Sequence, residues 1–478
     1  MPLIIPGNSQ ASTGYTIDQS IRFNDDDSPY MSRTPSSASN RKTFSFSCWL
    51  KLGSGTIDSG AEKAIFSARD GSTDNYSILS FNGDQSGANQ LEFVNRSSSY
   101  AGYIYTTQLF RDPSAWYHIV LNVDTTDAIA SERIKLYVNG SRVTDVTYSA
   151  PTLNLDMNMN NNISTAVGAR PTNNFHFDGY LAEIHFLDGY AYDPSFFGEF
   201  NDSGIWIPKE YTGSYGSNGF KIDGRDSSDL GDDESGNGND FTSNNLTASD
   251  QVLDSPTNNF AVMNPLADYY ANHTFRNGNL ELLTSTTTNQ YTYSINNIGM
   301  SSGKWYTELY VGSAVGTALT GISDRQSQGG THYLGGQSYE YSYYSYNGKS
   351  INGGTQSTYG NTYTTGDIIG IAIDLDNSKL YFSKNGTFQN SGDPTSGSTG
   401  TGAVSITAVG STQNGYYFFA VGDYSNAYST NFFWNFGQEG TFAGNTTAGG
   451  NSDGNGVGNF KYSVPSGYLA LCTKNLGS

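Results

Sequence analysis

The sequence predicts an all-β fold made of two antiparallel β-sandwiches. Short runs of β-branched and aromatic residues recur along the chain, bounded by Gly, Asn, Asp and Ser. No segment keeps the 3.6-residue apolar period of an amphipathic helix. One hairpin pattern also occurs twice, as LYVNG (Leu136–Gly140) and as LYFSKNG (Leu380–Gly386), each time after an apolar strand-like run. Because Asn-Gly between such runs is a strong hairpin signal, we expect two related β-modules.

Composition limits the classes of partner. The chain has 478 residues, enough for two large all-β domains, and 24 basic against 44 acidic residues give a net charge of -20. This charge repels phosphate backbones, so we expect no nucleic-acid binding. No run approaches the roughly 18 apolar residues of a membrane span, so we expect no membrane insertion. Cys48 alternates with Phe44 and Phe46, which predicts that it faces a core.

Changes in residue composition along the chain predict four segments. Residues 1–15 form an N-terminal arm, residues 16–200 carry the first series of strands, and residues 263–478 carry the second. Between them, residues 201–262 are dominated by turn formers and by an acidic Gly/Asn-rich stretch. We therefore predict an irregular linker at 201–262 that packs on its neighbours without a core of its own.

The first series resembles a known superfamily in its last three strands. The runs are WYHIVLNVD, IKLYVNGSRV and VGARPTNNFHFDGYLAEIHFLDGYAYD. Together they resemble the laminin-G-like, concanavalin A-like lectin and glucanase superfamily, whose closing strand has the form Gly-aromatic-apolar-x-Glu, matched here by Gly179 to Glu183. The resemblance implies a jelly-roll sandwich over residues 16–200.

The second series resembles the SPRY domain. Four segments appear in that family's order: GKWYTELYVG (Gly303–Gly312), TGDIIGIAIDLDNSKLYFSKNGTF (Thr365–Phe388), YYFFAVGD (Tyr416–Asp423) and NFGQ (Asn435–Gln438). A lectin-like module joined to a SPRY-like module in an Asn- and Tyr-rich chain looks like the structural proteins on virions of marine tailed phages. That resemblance implies a place on the virion surface, other virion proteins as partners, and a homo-oligomer such as a trimer.

Acidic residues on the closing strand raise the question of catalysis. Glucanases of the superfamily use paired carboxylates, and the nearest local candidates are Glu183, His185 and Asp188. Strand alternation places Glu183 and His185 on one face and Asp188 on the other, and His185 replaces the middle acid of the family's catalytic run. The pattern favours a polar outer face of a closing strand, so we expect no enzyme.

A second candidate is a calcium loop in DESGNGND. Asp233, Ser235, Asn237 and Asn239 are its candidate ligands, because they match the first half of an Asp- and Asn-rich calcium loop. The twelfth position, however, is Asn244 where a chelating acid should stand. We favour a turn that uses Asp, Asn and Gly for backbone geometry, with calcium as the alternative.

The run YEYSYYSYNG supplies candidate ligand-binding residues. Tyr339, Tyr341 and Tyr343 lie on one face of the predicted strand, and Tyr344 and Tyr346 lie on the other. Tyrosine combines a large flat ring with a hydroxyl group, which suits the recognition of sugars or proteins. One set should fill the core, and the other is a candidate binding surface or a set of ordinary exposed aromatics.

These observations favour a non-enzymatic virion structural protein, either a tail fibre or a capsid fibre or decoration, that displays lectin-like modules to host-surface glycan or protein. The arm would anchor it through an extended apolar and proline-rich start. The anchoring candidates are Met1, Pro2, Leu3, Ile4, Ile5 and Pro6. A decoration or adaptor protein that binds only virion neighbours, and a polysaccharide depolymerase, are the alternatives.

Overall fold

The structure is a computed structural model that describes most of the chain in two compact units. The described ranges are 14–57, 60–71, 74–172, 174–267, 273–284, 293–314, 316–325, 332–424 and 429–477. We call the two units the N-terminal unit (Ala11–Asn258) and the C-terminal unit (Asn259–Ser478). The predicted anchor, Met1 to Pro6, and the arm up to residue 13 lie outside the described residues.

Strands build the N-terminal unit. In chain order they are β1 (Ser20–Phe23), β2 (Tyr30–Arg33), β3 (Thr43–Leu52), β4 (Lys63–Arg69), β5 (Asn75–Phe81), β6 (Leu91–Ser97), β7 (Ser99–Thr106), β8 (Trp116–Asp124), β9 (Ile134–Val138), β10 (Ser141–Arg142), β11 (Val146–Ser149), β12 (Ser164–Val167), β13 (Gly179–Asp188), β14 (Gly198–Phe200), β15 (Trp206–Pro208), β16 (Phe220–Ile222), β17 (Thr242–Asn244) and β18 (Gln251–Val252). The first sheet has the order β10-β9-β8-β3-β13-β1-β18, with β16 also paired to β13. The second sheet has the order β11-β7-β6-β5-β4-β12-β2-β17, and β14 pairs with β15 alone.

The core of this unit lies between the two sheets. Alternate residues of β3 point into it, including Phe46 and Cys48, and they meet Phe66 and Phe93 from the second sheet. The rings of Phe46 and Phe66 lie 4.6 Å apart and nearly parallel, at 6°. Burying one such side chain contributes about 1.5–3 kcal/mol, so packing of the two sheets is the main source of stability. The predicted inward orientation of Cys48 is confirmed.

Both predicted Asn-Gly turns are present. Strands β9 and β10 are joined by Asn139 and Gly140, with φ of 48° and 79°. The C-terminal unit repeats this arrangement at Asn385 and Gly386, with φ of 50° and 81°. A two-residue turn with two positive φ values matches the right-handed twist of the strands that it joins, and Asn and Gly tolerate those values best.

The predicted linker at 201–262 is wrong, because most of it belongs to the N-terminal unit, which ends at Asn258. Strands β16, β17 and β18 pair with β13, β2 and β1. Phe220, Ile222, Leu230 and Phe241 are buried in the core between the sheets. The strands in this segment have only two or three residues and stand among Gly and Asp, so they show no alternation along the sequence.

The C-terminal unit is a second antiparallel sandwich. Its strands are β19 (Thr274–Arg276), β20 (Glu281–Leu283), β21 (Tyr293–Ile295), β22 (Lys304–Ser313), β23 (Ala318–Ser323), β24 (Glu340–Tyr344), β25 (Lys349–Asn352), β26 (Thr355–Thr358), β27 (Ile368–Asp374), β28 (Lys379–Lys384), β29 (Thr387–Phe388), β30 (Val404–Ser405), β31 (Phe418–Asp423), β32 (Asn431–Asn435) and β33 (Leu469–Ala470). One sheet has the order β19-β20-β32-β22-β27-β28-β29, with β30 beside β28 and the parallel β33 beside β22. The other has the order β21-β31-β23-β24-β25-β26.

Aromatic and β-branched side chains fill the second core as well. Ile371 and Trp434 of one sheet meet Tyr343 and Phe419 of the other in one buried cluster. In the described ranges, helix is confined to short 3-10 turns. These are Asp25–Asp27, Ala130–Glu132, Pro194–Phe196, Ala248–Asp250, Pro265–Ala267, Gln389–Ser391, Pro394–Thr399 and Val409–Ser411. No helix in the described part of the chain has the length and apolar character that crossing a bilayer requires. The predicted all-β fold with two sandwiches is confirmed.

Candidate functional site

The closing strand β13 carries a bulge at the acid that the sequence singled out. The pairing of β13 with β3 shifts between Ala182 and His185, and Glu183 has φ of 47°. One extra residue in a strand re-aims the neighbouring side chains. Here the carboxylate of Glu183 meets the imidazole of His185 on the outer face of the first sheet, with Glu183 Oε2 at 3.1 Å from His185 Nε2.

Glu183 lies at the centre of a buried polar cluster. Its Oε1 accepts a hydrogen bond of 2.7 Å from the Tyr15 hydroxyl and lies 3.4 Å from Lys221 Nζ. Burial raises the pKa of Glu183, but the hydrogen bond and charge of His185, the charge of Lys221 and the hydrogen bond from Tyr15 outweigh it. The net result is a pKa of about 2. Glu183 is therefore an ionised carboxylate that accepts hydrogen bonds from Tyr15 and His185 and is paired with the ammonium group of Lys221.

A neutral histidine lies in the same cluster. Trp206 Nε1 can only donate, so its 3.1 Å contact makes His118 Nδ1 an acceptor. His118 Nε2 then carries the proton and donates to Ser47 Oγ at 2.9 Å. Burial, followed by the nearby charge of His185, lowers the pKa of His118 to about 3. His118 thus stays neutral at physiological pH and joins the sheet to the segment that carries Trp206.

The cluster is buried: Glu183 is 6% exposed and His185 is 4% exposed. Tyr15, Trp49 and Phe197 are among the side chains that pack around it. Asp188 does not take part. Its carboxylate accepts hydrogen bonds from the backbone N–H groups of Asn40 and Asn218, at 3.1 and 3.0 Å. Glu183 and His185 thus lie apart from Asp188, as strand alternation predicts. The carboxylates of Glu183 and Asp188 both accept hydrogen bonds from other groups of the protein.

Acidification should reveal the contribution of Glu183 to stability. Its folded pKa of about 2 lies below the unfolded value of 4.5, so this stability is complete above the unfolded pKa and is lost as pH falls through the folded one. Between pH 7 and pH 3 the loss should be about 2 kcal/mol. We expect the difference in opening free energy of the β13 amides between the wild type and Glu183→Gln to shrink by that amount, measured by hydrogen exchange at both pH values.

The matched control for this measurement is Glu199→Gln, at an exposed glutamate of the same unit. It should leave the pH dependence of this opening free energy unchanged. If the difference between the wild type and Glu183→Gln is the same at pH 7 and pH 3, the depressed pKa of Glu183 is wrong.

The acidic loop that suggested calcium is held by its own hydrogen bonds. Asp233 Oδ1 accepts from the Ser235 backbone N–H at 2.9 Å, and Oδ2 accepts from the Asn239 backbone N–H at 2.8 Å. The side-chain amides of Asn237 and Asn239 donate to the carbonyl oxygen of Gly219, at 2.9 and 2.8 Å. These contacts are those of a turn stabilised by Asp and Asn side chains. Within the described ranges, no three His, Cys, Asp or Glu side chains are grouped to hold a metal ion.

Strand β24 places most of the predicted tyrosines inside the C-terminal unit. Tyr341 and Tyr343 are buried in the core between the sheets, and Tyr339 packs beside them. Tyr344 points to the opposite face, as alternation predicts. It is covered there nevertheless, with 7% of its surface exposed and its ring centroid 5.2 Å from that of Tyr424.

Tyr346 alone of this predicted set is well exposed, at 70%. The proposed surface of Tyr344 and Tyr346 is thus reduced to one ring at the turn after β24. Tyr424, from a distant part of the chain, contacts Tyr344, and Tyr333 packs against the same cluster. Strand periodicity carries no information about such long-range contacts.

Two buried acids that are not predicted from the sequence lie in the N-terminal unit, on the outer face of its second sheet. Glu62 Oε2 pairs with Arg170 at 2.9 Å, and Glu92 Oε2 accepts from the backbone N–H groups of Gln85 and Ser86. Burial, followed by the charge of Glu62, raises the pKa of Glu92 to about 7. The available signal was Glu92 between two inward residues of the run LEFV, an acid on the outer face of an apolar strand.

Several aromatic rings reach the surface of the N-terminal unit. One group lies on β7, where Tyr100 is 38% exposed and Tyr103 and Tyr105 are half-buried. Another group follows β13, where the rings of Tyr192 and Phe196 lie 3.9 Å apart and nearly parallel. Neither group is predicted from the sequence, because tyrosine is frequent throughout this chain.

Comparisons with known proteins match one segment of each unit. Residues 25–191 match the concanavalin A-like lectin/glucanases superfamily, and residues 304–420 match the SPRY domain. The search of curated proteins gives no match. Among solved structures, the crystal structure of the SPRY domain of human HERC1 has 17% identity, covers 36% of this chain and 96% of its own, and gives a TM-score of 0.28. A crystal structure of a human SPRY domain has 18% identity, covers 32% and 90%, and gives a TM-score of 0.25.

The predicted resemblance is confirmed by the two segment matches, in the predicted order. Both matched segments lie on the sandwiches described above. The chain therefore contains a concanavalin A-like domain followed by a SPRY domain.

Proposed function

We propose that this chain is a non-enzymatic binding protein of a phage virion, a tail fibre or a capsid fibre or decoration, that presents its two sandwiches to glycan or protein on the host surface. Both of its domains are binding-type folds. Because folds of this kind host many functions, the proposal rests on the site residues as well as on the fold.

One contrast carries the proposal. The carboxylates described above are buried, whereas several aromatic rings are exposed to solvent. Glu183 is 6% exposed, accepts hydrogen bonds from Tyr15 and His185, and is paired with Lys221. Glu62 and Glu92 are 6% and 1% exposed. By comparison, Tyr346 is 70% exposed, and Phe200 is 57% exposed. Exposed aromatic rings suit recognition, whereas hydrolysis needs two carboxylates that flank a substrate.

The place on a virion is supported by the resemblance of this domain order, in an Asn- and Tyr-rich chain, to structural proteins of marine tailed phages. On a particle the chain would contact other virion proteins and form a homo-oligomer, for which a trimer is our expectation. A decoration or adaptor protein that contacts only virion neighbours would have the same location. The two roles differ in whether the chain binds a host cell.

The deciding experiment combines location with binding. Purified particles are imaged with a label on this chain, and the isolated chain is tested on whole host cells and on a glycan array. We expect label on the particle surface, and binding to host cells that soluble host glycan competes away. Label on the particle without binding to either cells or glycans would favour the decoration role, and no label on particles would overturn the virion assignment.

A polysaccharide depolymerase is the second candidate, and the pair of acids on the second sheet is the observation that favours it. Glu92 has a pKa raised to about 7 by burial and by the charge of Glu62, as a general acid requires. Such an enzyme would release reducing ends from host capsule or envelope polysaccharide. Glu92→Gln or Glu183→Gln would then abolish the release, whereas our proposal expects no release from the wild type.

A further inference from the structure

In the N-terminal unit, the outer face of the second sheet carries a small group of aromatic and hydroxyl side chains near the edge of that sheet. Strand β11 pairs with β7 so that Thr147 faces Tyr105 and Ser149 faces Tyr103. Residues directly opposite each other in an antiparallel pair point to the same face. The neighbouring Ile104 points into the core, so these four side chains point outward. We call them the tyrosine platform: Tyr103, Tyr105, Thr147 and Ser149.

All four side chains of the platform remain accessible. Thr147 is exposed, and Tyr103, Tyr105 and Ser149 are half-buried. The contacts within the described ranges include no hydrogen bond to any of their four hydroxyl groups, although most buried polar groups in both units have a partner. The platform therefore offers four hydroxyl groups that can donate and accept at the same time.

The two rings are near-parallel without close face-to-face contact. The centroids of Tyr103 and Tyr105 are 6.2 Å apart, with 17° between the ring planes. The ring of Tyr100 lies beside Tyr103 at 82°, with the centroids 6.2 Å apart, and extends the aromatic group. In the second exposed group, by contrast, Tyr192 and Phe196 lie 3.9 Å apart at 8°, so each covers one face of the other.

The charge of the platform limits the ligand. None of its four side chains is charged. Glu92, opposite Tyr105 on β6, is 1% exposed, and the nearby Arg96, whose guanidinium lies over the ring of Tyr100, is paired with Asp74 at 2.8 Å. The chain as a whole carries a net charge of -20, which opposes a polyanion such as nucleic acid. Carbon-bound hydrogens that pack on a ring, together with many hydroxyl groups, are the complementary chemistry, and neutral sugars have both.

We propose that the tyrosine platform binds a neutral oligosaccharide, whose sugar rings pack on Tyr103 and Tyr105 while their hydroxyl groups bond with Thr147, Ser149 and the two phenols. This inference rests on the proposed function, because it names the surface and the ligand class of the same binding activity. β7 holds the two rings on a paired strand of the sheet, so little conformational entropy is lost when a sugar binds.

The experiment uses the full chain and six-residue neutral oligomers of glucose, galactose and mannose, with a hexuronate oligomer as the charged comparison. Binding is measured by calorimetry for the wild type, Tyr105→Ala and Thr147→Glu. Thr147→Glu places a charge at an exposed position, where folding tolerates it. Tyr346→Ala and Phe196→Ala are controls at two exposed aromatics outside the platform. Thermal unfolding midpoints check that every variant is folded.

We expect a neutral oligomer to bind the wild type and both controls, and its Kd to rise at least tenfold in the two platform variants. If a neutral oligomer binds both platform variants as well as the wild type, the platform is overturned, while glycan binding by the chain stands. If only the hexuronate binds, or if host cells are bound and no neutral oligomer is, the ligand class is overturned, and the proposed function stands. A chain that binds neither cells nor oligomers overturns both.

Discussion

Replacing Lys51 with methionine is expected to destabilise the N-terminal unit by about 3–5 kcal/mol. Lys51 Nζ lies 2.7 Å from Asp254 Oδ2, and both side chains are 0% exposed. Methionine fills most of the volume of lysine but leaves the carboxylate of Asp254 buried, with Trp116 Nε1 still donating to Oδ1 at 3.1 Å. A buried charge without its counter-charge is far more costly than an exposed one.

The loss is read by hydrogen exchange at the amides of β3 and β13, because a chain with two units has no single unfolding free energy. Lys209→Met, at an exposed lysine of the same unit, is the control and should change exchange little. Adding Asp254→Asn to Lys51→Met should recover part of the loss, since it removes the charge that Lys51 balanced. Equal exchange in Lys51→Met and the wild type would show that the ion pair does not support the unit.

Replacing Glu308 with alanine is expected to have an effect of similar size on the C-terminal unit, about 3–5 kcal/mol. The carboxylate of Glu308 lies on β22 and accepts hydrogen bonds from the backbone N–H groups of Lys461 and Tyr462, at 2.7 and 2.8 Å, and from the Tyr306 hydroxyl at 3.0 Å. Alanine leaves these three donors without that acceptor, and each buried donor left unsatisfied costs about 1–3 kcal/mol.

The same exchange experiment, read at the amides of Lys461 and Tyr462, measures this effect locally. Glu308→Gln keeps one acceptor oxygen, so its loss should be smaller than that of Glu308→Ala. Thr358→Ala, on the exposed strand β26, is the control. Protection of the two amides that survives in Glu308→Ala would mean that other contacts hold residues 461 and 462 in place.

Much of the fold could be predicted because its signals are local. The turns at Asn139 and Gly140, and at Asn385 and Gly386, need positive φ values that these residues accept, so the dipeptides alone indicate hairpins. The inward direction of Cys48 and the separation of Glu183 from Asp188 follow from the period of two in a strand. The outcomes at these positions depend on neighbours in sequence, and the sequence analysis describes them correctly.

The features that could not be predicted from the sequence depend on contacts between distant residues. Tyr344 faces outward as predicted, but a separate segment covers it, so orientation did not translate into exposure. Glu183 accepts a hydrogen bond from Tyr15, 168 residues before it, and forms an ion pair with Lys221, 38 residues after it, so no spacing on β13 could indicate its low pKa. The partners of Glu183 come from several segments of the chain. The pattern of residues along β13 therefore predicts only which way the side chains of that strand point.

Because β16, β17 and β18 belong to the first sandwich, the segment that could be moved to another chain as a folded domain extends beyond residue 200. A fragment cut at Phe200 would lose Lys221 and Asp254, the cationic partner of Glu183 and the counter-ion of Lys51, along with four apolar side chains of the core. Such a fragment would retain the segment that matches the superfamily and yet lack part of its interior. Exchange of this lectin-like portion between chains, by recombination or by cloning, would have to carry the polar stretch up to Asn258 with it.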